Sequence, residues 1–79
     1  MHRIVNYRII EELGTISEGM QNAKRLNVIQ WADNPTRLDF RIWVKTEEGE
    51  RPGKGITLTD EEAKRLAAFL NAYLETLEE

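Results

Sequence analysis

Residues 37–46 alternate between apolar and polar side chains without a break. Leu38, Phe40, Ile42 and Val44 form one set, and Arg37, Asp39, Arg41, Trp43 and Lys45 form the other. A period of two over this length predicts a strand with one face turned to a core. From residue 59 the period changes. Ala63, Leu66, Ala67, Leu70, Tyr73, Leu74 and Leu77 recur at helical spacing, Phe69 widens the stripe, and neither Gly nor Pro interrupts residues 60–79. Thr59-Asp60-Glu61-Glu62 opens this run as a capping box, in which the Thr hydroxyl accepts from the Glu62 N–H and the Glu62 carboxylate reaches back to that of Thr59. A helix is therefore predicted over residues 60–78.

Ahead of the alternating strand, Arg3–Ser17 carries the β-favouring Val5, Tyr7, Ile9 and Ile10, with Gly14 as the mark of a bulge or bend. Residues 17–22 read as a loop, Arg25–Ala32 as a second strand and Gly53–Leu58 as a short last strand. Asp33-Asn34-Pro35-Thr36 suits a turn because Asx side chains bond their own backbone and Pro fixes φ; Glu47-Glu48-Gly49-Glu50 makes the next. The predicted fold is α+β: a four-stranded antiparallel β-meander over residues 3–58, then one C-terminal helix packed on one face of the sheet, all in one domain spanning residues 1–79.

The second strand can face either way. Leu26 and Val28 belong with Phe40 and Ile42, because the alternative buries Arg25 and Asn27 without partners. Hairpin parity then requires an odd loop, which sets Trp31 beside Arg37 and Arg25 near Trp43 on the face away from the helix. An even loop would send Trp31 into the core.

Composition narrows the function. The chain has 79 residues, no Cys and one His, so a disulfide framework, a thiolate site and a His-centred metal triad are not expected. No run of about 18 apolar residues predicts a membrane span, and no secretory signal is expected. No nucleophile, metal cluster or oriented base is visible, and a non-enzymatic protein without cofactor or small-molecule substrate is expected. The net charge of −3 is uneven: residues 59–79 hold two cations and six anions, whereas residues 20–46 hold five cations and two anions. The acidity thus follows the helix. The open face mixes Arg25, Arg37, Arg41 and Lys45 with Trp31 and Trp43, which suits single-stranded nucleic acid: cations meet phosphates, and unstacked bases lie on indole rings. A merely solvated strand face, with the Trp residues in a core or interface, accounts for the same pattern. Asp39 between Arg37 and Arg41 reads as a partner that positions them, and Gly53 and Gly55 as a close backbone approach or bend.

Leu38-Asp39-Phe40-Arg41-Ile42-Trp43, Glu48-Gly49-Glu50 and Arg51-Pro52-Gly53-Lys54-Gly55-Ile56-Thr57-Leu58 together resemble the transcriptional coactivator family called positive cofactor four. Tyr7-Arg8-Ile9-Ile10-Glu11-Glu12-Leu13, Leu26-Asn27 and Trp31 resemble its small bacterial, YdbC-like branch. The resemblance implies a curved four-stranded sheet with one helix. It also implies a cytoplasmic, nucleoid-associated homodimer that binds single-stranded DNA with little sequence specificity, in transcription, replication or repair. Arg41 and Lys54 match the family's phosphate-contacting positions, and Trp31 matches an aromatic before the turn. Trp43 lies one residue short of the family's Trp, and the Lys-rich turn and Ser-rich tail have no counterpart here. The expected nucleic-acid-binding residues are Arg25, Trp31, Arg37, Arg41, Trp43, Lys45 and Lys54. The helix stripe is wide for so small a sheet, so Phe69, Leu70, Tyr73, Leu74 and Leu77 are expected at a dimer interface. DNA and RNA both remain open as ligand, and a protein-interaction module with incidental nucleic-acid binding is the alternative.

Overall fold

The computed structural model describes residues 6–78. Strands β1 (Tyr7–Glu18), β2 (Asn22–Trp31), β3 (Arg37–Thr46) and β4 (Gly49–Leu58) form one sheet in meander order. Every neighbouring pair is antiparallel. Helix α1 (Asp60–Leu77) follows after the single residue Thr59. The strictly alternating β3 has its predicted limits. β2 and β4 start earlier than their side chains suggested, at Asn22 and Gly49, because β3 offers ladder partners along its whole length. The last turn shrinks to Glu47-Glu48, closed by Gly49 at φ 121, a conformation that glycine adopts without steric cost. Residues 3–5 of the expected first strand lie outside the described residues. The capping box is present in full: Thr59 Oγ1 accepts from the Glu62 N–H at 3.1 Å and Glu62 Oε1 from the Thr59 N–H at 2.8 Å, a motif worth about 1 kcal/mol.

The β2–β3 register sets Leu26 opposite Phe40, Val28 opposite Leu38, Arg25 opposite Arg41 and Asn27 opposite Asp39. This is the odd-loop pairing. It puts Leu26, Val28, Leu38, Phe40 and Ile42 on one face, here the outer one. Ala23, Arg25, Asn27, Ile29, Asp39, Arg41 and Trp43 share the inner face.

The position of the core is not as expected. The buried residues are Ala23, Asn27, Ile29, Asp39 and Trp43, all on the inner face. The sheet curls toward that side. The Tyr7 ring on β1 reaches within 5.6 Å of the Trp43 ring on β3, although β2 runs between them. Arg25 on β2 likewise reaches over β3 to Glu50 on β4. The curl has a local cause in β1, whose register shifts between Ile9 and Glu11, Glu12 and Gly14, and Thr15 and Ser17. Each shift inserts one residue (Ile10, Leu13, Ile16), and each bulge bends and twists the strand further.

The helix follows the sheet as expected, but it packs on it only lightly. Contacts of α1 with the sheet are few and confined to β3 and β4. Within the helix only Ala63 is half-buried, while Leu66, Phe69, Leu70, Tyr73, Leu74 and Leu77 are exposed. The outer face is half-covered at best, and Ile10, Leu13, Ile16 and Ile56 are exposed. The reason is geometric: the curl closes the inner face by means of its own strands, so one short-linked helix is left without a flat apolar surface to lie across. The chain is correspondingly open, with a radius of gyration of 14.7 Å and extents of 53 × 31 × 21 Å, where a compact domain of this length has about 12 Å.

A cationic and aromatic sheet as candidate nucleic-acid interface

At the centre of the inner face Asp39 is completely buried. Its carboxylate accepts from Arg41 Nη2 at 2.8 Å, from Arg41 Nε at 3.1 and 3.2 Å and from the Trp31 indole N–H at 3.2 Å. Arg41 Nη1 also donates to the Gly53 carbonyl at 2.8 Å, and the guanidinium lies 4.7 Å from the centre of the Trp31 ring. Arg41 is thereby held by an ion pair, a backbone acceptor and a cation–π contact. The approach of β4 to this cluster requires glycine: a Cβ on Gly55 would stand 2.5 Å from Arg41 Cβ and 2.6 Å from the Phe40 carbonyl oxygen. The reading of Asp39 as a positioner of Arg41 is thus realised; Arg37 is not among its partners.

Arg25 is also held. Its guanidinium donates to both carboxylate oxygens of Glu50, at 2.5 and 3.2 Å, and to Thr15 Oγ1 at 2.6 Å, with Glu18 at 3.5 Å. Lys45 pairs with Glu18 and donates to the Gly19 carbonyl. The Lys45 hydrogen bond is the main reason why the Glu18 carboxylate sits below its usual range, with Arg25 adding to the effect against some desolvation. Glu18 therefore stays ionised to lower pH than an ordinary carboxylate, and its tie to Lys45 and Arg25 loosens only as pH falls through that lowered value. Pairs this exposed are weak and open to exchange with a phosphate.

Six of the seven sequence-predicted binding residues come together on the inner face: Arg25, Trp31, Arg37, Arg41, Trp43 and Lys45. Lys54 stands at the edge of this group: it borders a shallow groove that Arg41 also lines, with Lys24, Phe40, Ile42 and Ile56. Trp43 is on the expected face but only 3% exposed. A stacking platform needs an open ring, whereas Tyr7 lies against this one. Trp31 is half-buried, with Arg41 over its ring and Tyr7 tilted beside it at 5.2 Å. Sequence reasoning passed over Lys24, whose signal was a cation in the apolar register of β2. It also passed over Asn27, a polar residue buried opposite Asp39.

Together these features define a small ββββα domain whose sheet is built to present cations beside aromatic rings. A family model described as Transcriptional Coactivator p15 (PC4) matches residues 20–69, and the chain belongs to that family. The matched span holds β2, β3, β4 and the first half of α1, the elements that supply the Arg41–Asp39–Trp31 cluster. The family is non-enzymatic and binds single-stranded DNA. Among curated proteins, none matches the chain. No helix among the described residues is long and apolar enough to cross a membrane.

Proposed function

We propose that the protein is a homodimeric, cytoplasmic single-stranded DNA-binding protein of the coactivator type. We place it in the small bacterial YdbC-like branch, as one nucleoid-associated domain acting with low sequence specificity in transcription, replication or repair. Membership of the PC4 family over residues 20–69 carries this reading. Arg41, fixed by Asp39 beside Trp31, is the best prepared phosphate contact, because its fork is oriented before any ligand arrives. Arg37 and Lys54 are exposed and join it, and Arg25 and Lys45 contribute by exchanging carboxylate for phosphate. Trp31, half-buried beside Arg41, offers the uncovered part of its ring to a base. Trp43 supports the groove from beneath.

The uncovered apolar surface supports the dimer. The chain exposes 6756 Å², roughly 1,800 Å² more than a compact monomer of this size. That excess is in the range each subunit of a permanent dimer buries. The α1 stripe of Phe69, Leu70, Tyr73, Leu74 and Leu77 is the surface we assign to the partner. Sedimentation at micromolar concentration is expected to give a dimer, and a folded monomer there would remove this assignment.

The test of binding is fluorescence anisotropy with labelled oligo-dT, oligo-U and a matched duplex. Oligo-dT is expected to bind more tightly than duplex, with the logarithm of affinity falling against the logarithm of salt by about 0.7 per phosphate neutralised. Equal affinity for single strand and duplex, or no salt dependence, overturns the reading. Tighter binding of oligo-U would make RNA the ligand.

A further inference from the structure

Among the described residues the inner face carries as many carboxylates as cations: Glu12, Glu18, Asp39 and Glu50 share it with Arg25, Arg37, Arg41 and Lys45. Asp39 is buried and belongs to the frame of Arg41. Glu18 and Glu50 differ from it, being exposed and carried by the border strands. Glu18 ends β1 and pairs with Lys45 on β3, across β2. Glu50 stands at the start of β4 and pairs with Arg25 on β2, across β3. Glu18 also lies 3.5 Å from Arg25. Lys45, Glu18, Arg25 and Glu50 thus form one chain of alternating charge that spans all four strands.

An anion approaching this chain meets no free cation. To reach Arg25 it must displace the Glu50 carboxylate, which accepts from Nε and Nη2 at 3.2 and 2.5 Å. To reach Lys45 it must displace Glu18. Each displaced carboxylate stays tethered beside its cation, where it repels the incoming phosphate and competes as an intramolecular partner. The pairs are exposed and individually weak, so a strand already held by Arg37, Arg41 and Lys54 can part them. Counterions follow the same logic. A phosphate seated on a free cation releases a condensed counterion. A phosphate seated on Arg25 or Lys45 releases one too, but the freed carboxylate attracts a cation from solution, and the net release is near zero.

We propose that Glu18 and Glu50 are built-in competitors of phosphate, an autoinhibitory pair that holds Arg25 and Lys45 until a strand displaces it and so sets both the affinity and its salt dependence. This rests on the nucleic-acid reading above and adds a restraint to it. The two carboxylates then weaken binding, although they lie within the binding face.

The experiment titrates labelled oligo-dT against wild type, Glu18→Gln, Glu50→Gln and Glu75→Gln, at salt from about 50 to about 200 mM. Glu75 is exposed on α1, so its variant makes the same change in net charge away from the sheet. Glu18→Gln and Glu50→Gln are each expected to tighten binding about threefold to fivefold at the lowest salt, the ratio that an exposed ion pair supplies. Each should also steepen the salt slope by about 0.7, the value for one further phosphate neutralised. Glu75→Gln is expected to bind as wild type does. Circular dichroism accompanies each titration, and either inner-face variant carries the test if the other fails to fold. Unchanged or weaker binding by the folded variants, equal tightening in Glu75→Gln, or loss of the fold in both inner-face variants overturns the autoinhibitory pair and leaves the proposed function standing. Absence of oligo-dT binding by wild type and variants alike would overturn both.

Discussion

Asp39→Ala is expected to cost about 3–5 kcal/mol, the usual penalty for removing one partner of a buried ion pair. For a domain of this size that lowers the thermal midpoint by about 12 °C or more. The loss is large because Asp39 is fully buried and satisfies three groups together: the Arg41 guanidinium through Nε and Nη2, and the Trp31 indole N–H. Without the carboxylate, a guanidinium largely withdrawn from water keeps only the Gly53 carbonyl and the Trp31 ring. Calorimetry of the single variant and of Asp39→Leu/Arg41→Met separates cause from consequence. The double variant removes both charges and should recover most of the midpoint. It should nonetheless bind oligo-dT more weakly than wild type. A single variant within a few degrees of wild type would mean that the cluster is solvated and contributes little.

Gly55→Ala is the second large effect. The added methyl would stand 2.6 Å from the Phe40 carbonyl oxygen and 2.7 Å from Arg41 Cα. These are backbone atoms of the neighbouring strand, which no rotamer change can move aside. β3 and β4 would have to separate where Arg41 pairs with Gly55, at a cost at or above the roughly 1–3 kcal/mol of ordinary overpacking. The measurement is the urea midpoint, with Gly14→Ala as control. A Cβ at Gly14 meets nothing within 4 Å, so that change should leave the midpoint nearly unmoved. Similar midpoints for the two variants would show that crowding at Gly55 is relieved by small shifts.

Elements were legible in the sequence where local rules decide them. Strict alternation over Arg37–Thr46 gave the limits of β3, the Thr59–Glu62 box gave the start of α1, and the match of Leu26 and Val28 with the apolar set of β3 gave the β2–β3 register, although the burial argument used for it fails at Asn27. The location of the core was not legible. Binary patterning assigns polar residues to solvent, yet Asn27 and Asp39 are buried. Asp39 is satisfied by Arg41 and Trp31, contacts that only the folded sheet creates. The site divides in the same way. Alternation brought Arg25, Trp31, Arg37, Arg41, Trp43 and Lys45 to one face. The ties of Arg25 to Glu50 and of Lys45 to Glu18 join residues about 25 positions apart in the chain, and Lys54 meets Arg41 at the edge of the group because the register of β4 shifts between the partners of Arg41 and Trp43. No single-strand pattern contains that information.

The three bulges of β1 also bear on how the protein avoids polymerising. A meander of four strands has two open borders, each a row of backbone groups onto which another chain could add a strand. On β1 the ladder is broken at Ile10, Leu13 and Ile16, so no straight template of more than a few residues remains. On β4, Pro52 removes a backbone donor. Sheet extension from copy to copy, which has no natural stopping point, is discouraged at both borders. The dimer proposed above would use the apolar faces and the helix instead, where a two-fold arrangement uses up its own surface and ends at two copies.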